Sequence, residues 1–222
     1  MDKWYCKEIT EASYNELITL TKWINKIYGY YPFIIGGWAV YSYVQSLGSR
    51  DIDIVFPTKE SVEKVLMPYY KMRGYKDEGL FSKQYYLEVQ TEKGTEKIML
   101  DACSLADRNI LHENKDIEIP WDLTQQYYQN WEIQKDLVVQ VPQIELLLLY
   151  KFKALCDRRY DLQHSTLSAI NRAYVESKIW KDEHDIKKLS ECSIDKEKII
   201  QIVKSVNFQE YLHREVKRLK IW

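Results

Sequence analysis

Ile35-Gly36-Gly37 and, after a gap of thirteen residues, Asp51-Ile52-Asp53-Ile54-Val55-Phe56 decide how this chain is read. The second stretch alternates acidic and apolar residues before Pro57 stops it. In a strand successive side chains point to opposite faces, so Asp51 and Asp53 share one face, while Ile52 and Ile54 face a core. Upstream, residues 31–35 form a short apolar strand that ends in the two glycines. Residues 38–47 follow with a helical pattern closed by Gly48.

Two ionised carboxylates on one strand face repel. At ~4 Å and an effective dielectric near 20 the cost is about 4 kcal/mol. A bound cation turns that cost into attraction, and an oxygen-only donor set suits Mg2+ or Mn2+. Acid-x-acid also occurs on exposed edge strands, so the pair alone does not decide. Met99-Leu100-Asp101-Ala102 places a third acid in another apolar strand. If that strand lies beside the first, three carboxylates converge and can hold two metals ~3.5–4 Å apart, the arrangement for in-line phosphoryl displacement. Otherwise Asp101 is a strand-end residue facing water. The glycines carry a similar pair of meanings. Gly36 and Gly37 let the backbone approach a phosphate and precede a helix whose free N–H groups favour an anion. Alone, they are equally a plain strand-to-helix turn.

Together these pieces resemble the nucleotidyltransferases of the DNA polymerase β superfamily. Their signature is an apolar residue, Gly-Gly or Gly-Ser, a gap of nine to thirteen residues, and Asp-x-Asp or Asp-x-Glu between apolar residues. Here residues 38–50 make the gap, and Ile52 and Ile54 supply the flanks. Within that group, GGWAVYSY and SRDIDIVF are similar to small antibiotic nucleotidyltransferases that modify aminoglycosides or lincosamides. They are also similar to the nucleotidyltransferase toxins of abortive-infection systems. Those toxins carry Lys-x4-Arg and Asp-x2-Asp motifs, matched here by Lys153 with Arg158 and by Asp182 with Asp185. There are departures. Gly37 replaces the commoner Ser and removes a hydroxyl. The toxin-type arginine after the glycines is absent, with Tyr41 and Ser42 in its place, so Arg50 is the nearby positive charge.

The resemblance implies a fold and a set of roles. The fold is α+β: a small mixed, palm-like sheet with flanking helices over residues 1–141, then a helical bundle over 142–222. The activity is transfer of a nucleoside monophosphate from a nucleoside triphosphate to an acceptor hydroxyl on a small molecule, RNA or protein. Asp51, Asp53 and Asp101 would be catalytic and hold Mg2+ or Mn2+. Gly36, Gly37, Arg50, Lys153 and Arg158 would meet the triphosphate. Asp182 and Asp185, although they match the toxin motif, read from their own surroundings as a helix-capping and core-orienting pair rather than as metal ligands. The rival from another class is a nucleotide-binding or partner-binding module that keeps the fold, as in a toxin–antitoxin system. The presence of all three aspartates argues against it.

The rest of the chain sets the frame. With 222 residues, 45% hydrophobic and 29% charged, it can bury a sizeable core. The net charge of -1 means that any polyanion must be met by a local patch. The N-terminus lacks a signal-peptide core and no apolar run approaches ~20 residues, so a cytoplasmic location is expected. Four scattered cysteines are expected to be free and mostly buried, with no structural zinc.

Further helices are expected over residues 12–28, with Ser13 as cap, and 58–72, with Pro68 ending or kinking the helix. Others are expected over 142–157, 162–177, 181–191, 195–205 and 207–219. Strands are expected over 80–83, 85–90, 97–103 and 137–141, and residues 104–136 as a loop with a short strand pair. The basic stretch 214–220 is either a solvated helix face or an RNA contact.

Overall fold

The computed structural model describes residues 6–45, 47–77, 85–92 and 94–222. Among these the chain is α+β, with a seven-stranded mixed sheet and seven α-helices, the last four following the sheet. It divides into two compact units: Met1–Asp107 with Thr124–Pro142, and Arg108–Leu123 with Gln143–Trp222. The strand expected at residues 80–83 lies outside the described residues.

The first unit is built as α1 (Lys7–Tyr28), β1 (Phe33–Ile35), α2 (Gly36–Val44), β2 (Ile52–Phe56), α3 (Lys59–Arg73), β3 (Lys76–Asp77), β4 (Tyr85–Thr91), β5 (Gly94–Ser104), β6 (Tyr128–Gln134) and β7 (Leu137–Pro142). The sheet order is β3-β4-β5-β2-β1-β7-β6, which places β2 at the centre. Strand β2 runs antiparallel to β1 and parallel to β5, and β1 runs parallel to β7. One face of this sheet is dry: Ile34, Ile52, Ile54, Leu100, Val139 and Val141 are at most 2% exposed. Helix α3 covers part of that face, with Tyr70 stacked on Tyr85, the register partner of Leu100.

Helix α1 begins five residues before the expected start. Ser13, expected as its cap, is instead fully buried inside it, and its hydroxyl accepts the Trp38 indole N–H at 3.1 Å. Leu17, Leu20 and Ile24 form the buried stripe, whereas Ile27 is half exposed. Gly29, at φ +68°, closes the helix with its N–H on the Asn25 carbonyl. Buried Glu16 accepts from the hydroxyls of Tyr69 (2.7 Å) and Tyr75 (3.1 Å) and from Arg73 (2.5 Å), tying α1 to α3 and the residues after it. Burial and the Glu16 charge push both phenols far above their ordinary value.

Helix α3 spans nearly the expected residues and is not ended by Pro68, which lies inside it. Proline has no N–H for the carbonyl four residues back. That carbonyl belongs to Lys64, and it accepts the Tyr28 hydroxyl at 2.7 Å instead. Thr58 and Ser61 form a reciprocal capping box at the start of the helix. Helix α2 also differs from its expected span. The two glycines are its first residues, and Gln45, not Gly48, takes the left-handed closing position, at φ 42°.

Residues 104–136 hold more structure than expected: an isolated bridge between Ile110 and Glu118, a 3-10 turn at Trp121–Gln125, and β6 along β7. The second unit continues with α4 (Ile144–His164), α5 (Ala169–Ser190), α6 (Lys196–Ser205) and α7 (Gln209–Leu219). Pro142 ends β7 and does not open α4, which runs seven residues past its expected end. Leu146, Leu147, Leu148, Leu149, Phe152 and Leu155 are all fully buried, so α4 is apolar nearly all round and forms the centre of its unit. Of the expected helices 162–177 and 181–191, residues 162–164 finish α4, and Ala169–Ser190 form one helix, α5, capped by Ser168, whose hydroxyl accepts the Asn171 N–H. Of the four free cysteines only Cys156 is buried; Cys6, Cys103 and Cys192 are partly exposed. Among the described residues no helix is long and apolar enough to cross a membrane.

Candidate active site

Register brings the sequence motifs together. Asp53 on β2 pairs directly with Asp101 on β5 across a parallel ladder, and with Ile35 on β1 from the other side. Paired residues of neighbouring strands lie about 5 Å apart and project from the same face. That face is opposite the dry one, and Asp53 and Asp101 are both partly exposed there. Held this close with effective dielectric near 20, two carboxylates repel by about 3 kcal/mol. Their field reaches their neighbours. The Cys103 thiol is pushed up to about 12, by burial first and then by Asp107, Asp53 and Asp101. The Tyr70 phenol is raised by burial and by Asp101.

Gly36 starts α2 at φ +67°, a conformation that side-chain-bearing residues rarely adopt. It also lies against the Asp53 carboxylate. A Cβ there would come within 2.7 Å of the Asp53 Cγ and closer still to Oδ2. No side chain fits between the turn and the acid, which is why glycine precedes this aspartate. Gly37 is required for a different reason: its Cβ would stand 2.6 Å from the Ser49 Oγ. Ser49 is buried, in the turn before Asp51. The hydroxyl missing at position 37 thus has a counterpart beside it, supplied by a residue that no motif marked.

Asp51 is buried, one residue before β2 begins. Among the described residues no group of three or more His, Cys, Asp or Glu side chains forms a cluster that could itself hold a metal. The structure therefore brings together two of the three expected carboxylates as a register pair, with Asp51 next to them in sequence. This donor set still fits a hard cation. Mg2+ is commonly held by one or two carboxylates, with water and substrate phosphates completing its shell.

Arg50 is engaged on the protein. Its Nε donates to the Lys97 carbonyl at 2.9 Å and its guanidinium pairs with Glu96 at 3.2 Å, fastening the turn before Asp51 to β5. The two later motifs lie in the second unit. Lys153 is buried and pairs with Asp157 at 2.6 Å. Arg158 pairs with Asp182, and Lys151 bridges Asp182 (3.2 Å) and Asp185 (2.8 Å). Lys181 adds a further bond to Asp185 at 2.7 Å. Arg158, Asp182 and Asp185 are thus parts of one buried ion network joining α4 to α5, with Lys151 a member that no motif signalled. In the basic stretch 214–220, Arg214 is paired with Glu113 through two bonds of 2.9 and 2.7 Å.

No protein-family model matches the chain, and no curated protein matches its sequence. Solved structures do match. One is the solution structure of the antibiotic-resistance factor ANT(2'')-Ia, which shares 15% identity over 92% of this chain and 97% of that one, with a TM-score of 0.48.

Proposed function

We propose that the first unit transfers a nucleoside monophosphate from a nucleoside triphosphate to an acceptor hydroxyl. The observation that carries this is the Asp53–Asp101 register pair with Gly36 laid against Asp53. A fold with no other task would gain nothing by setting two carboxylates side by side in mid-sheet and clearing the adjacent backbone of side chains.

In this proposal Asp53 and Asp101, with Asp51 alongside, hold Mg2+ or Mn2+. Bound there, the cations would neutralise charge on the triphosphate and lower the pKa of the acceptor hydroxyl. The chain's own groups do the rest. The N–H groups in the first turn of α2, at Gly36 and Gly37, face no preceding helical carbonyl and favour the β- and γ-phosphates. Ser49 offers its hydroxyl at the same turn. Arg50 holds that turn on β5, so that Asp51 and Asp53 are presented at fixed spacing. Lys153 and Arg158 are already neutralised by Asp157 and Asp182 within their own unit, so the proposed chemistry rests on the first unit.

Incubation with Mg2+ and each labelled triphosphate, followed by a search for label on small molecules, RNA and protein, tests this directly. Transfer that Asp53→Ala abolishes supports it. Metal-dependent triphosphate binding without any transfer would instead favour a binding module that keeps the fold. An absence of both sinks the proposal.

A further inference from the structure

The sheet face that carries Asp53 continues beyond it. Val55 lies two residues along β2, about 7 Å away at strand rise, and points to the same side. Phe33 on β1 is its register partner, and Gln140 on β7 is the partner of Phe33. A hollow of about 480 Å3 opens at this row, within the range that suits a small organic molecule. Its walls are apolar, with Phe33, Val55 and Leu105 beside the ring of Tyr30, and its polar groups, Thr124, Gln125 and Gln140, are neutral. No Asp, Glu, Lys or Arg lines it among the described residues. The Tyr30 hydroxyl is enclosed and has no hydrogen-bond partner among them. Such a group is unfavourable until a donor or acceptor reaches it.

The direction of this hollow matters. Strands β1 and β2 are antiparallel, so Gly36, which follows Ile35, lies toward the Asp51 end of β2, and the hollow lies toward the Phe56 end. The two therefore flank the Asp53–Asp101 pair from opposite ends. Phosphoryl transfer needs attacking and leaving oxygens roughly in line across the phosphorus. If the β- and γ-phosphates sit at Gly36 and Gly37, the acceptor must approach from the hollow.

Resting on the nucleotidyltransferase reading above, we propose that this hollow holds the acceptor, and that the acceptor is an uncharged, largely apolar small molecule bearing a hydroxyl. The acceptor oxygen forms a bond to the α-phosphorus while the bond from that phosphorus to the bridging oxygen breaks. Pyrophosphate leaves with the electron pair, and the hydroxyl proton passes to solvent water. A polycation would find no carboxylate in this hollow, and an RNA backbone no cation. Burying either charge there without a partner is unfavourable.

The test uses the full chain, Mg2+ and the four labelled triphosphates. Three acceptors are offered: 4-nitrophenyl β-glucoside, a polycationic aminoglycoside and total RNA. Label is expected on the glucoside, at least tenfold above either of the others. Gln140→Lys and Gln125→Glu each put a charge in the hollow. Each is expected to cut that transfer at least tenfold while leaving affinity for Mg2+ and inorganic triphosphate within twofold, which also reports intact folding. Label on the aminoglycoside or RNA, label on none of the three, or transfer indifferent to both substitutions overturns the assignment of the acceptor. If the unsubstituted chain fails to bind Mg2+ with inorganic triphosphate, the failure belongs to the underlying nucleotidyltransferase reading.

Discussion

At Gly36 one residue meets two demands. The left-handed φ disfavours any Cβ by roughly 1–2 kcal/mol, and the Asp53 carboxylate excludes it sterically. Gly36→Ala should therefore lower stability by at least about 2 kcal/mol in urea denaturation and weaken metal-dependent triphosphate binding; a neutral substitution would mean the turn relaxes freely. The second glycine has a single steric opponent, Ser49. Gly37→Ala should be destabilising, and Ser49→Gly in the same chain should restore most of the loss. A coupling of at least about 1 kcal/mol in the double-mutant cycle is expected, since residues in contact couple on that scale; additive effects would show that the two do not compete for space. The sequence revealed the acids because apolar flanks mark Asp53 and Asp101 as strand residues. It did not reveal that Gly36 packs on Asp53, or that Ser49 stands beside Gly37, because both contacts join residues brought together only by the folded sheet.

Among the elements, strands were legible and several helix ends were not. Strands β1, β2, β4 and β7 lie within two residues of their expected spans, and β5 begins three residues earlier than expected. The errors share a cause, which is that local signals were overruled by distant partners. Ser13 resembles a cap until Trp38 is packed against it. Pro68 does not end α3, and the Lys64 carbonyl it leaves without an N–H accepts the Tyr28 hydroxyl. The α5 helix continues where propensity suggested a break because its middle holds Lys181, Asp182 and Asp185 in the network with α4. Glu16 is the corresponding tie between α1 and α3. Glu16→Ala would leave the Tyr69 and Tyr75 hydroxyls without their acceptor and release Arg73, which is itself partly exposed, so the cost is that of unpaired enclosed hydroxyls, about 1–3 kcal/mol. Thermal denaturation should show a loss of that size; a change under about 1 kcal/mol would show that solvent satisfies the tyrosines.

Over the whole molecule, the α+β class was legible because the composition shifts after the last strand. Residues 104–136 were not. Their 3-10 turn and isolated bridge have no periodicity, and the segment contributes to both units. The same scale governs acid stability. Burial acts against the ionised Asp185, and Lys151 and Lys181 overcome it, holding the carboxyl below its ordinary 3.8. A folded value below the unfolded one means that this stabilisation is fully present above about 3.8 and is lost as pH falls through the folded value. Asp185→Asn should remove that acid sensitivity and lower stability at neutral pH, where Lys151 and Lys181 would lose their shared partner. An unchanged stability profile between pH 2 and 7 would show the network to be of no consequence.

The central claim is that Asp53 and Asp101 act as one cation-holding pair for a triphosphate. Calorimetric titration of the full chain with nucleoside triphosphate, with and without Mg2+, addresses it most directly, using Asp53→Asn and Asp101→Asn as partners. Binding should require Mg2+, and each substitution should weaken it at least tenfold, about 1.4 kcal/mol. Triphosphate binding of equal strength without the metal, or unchanged by both substitutions, would contradict the account.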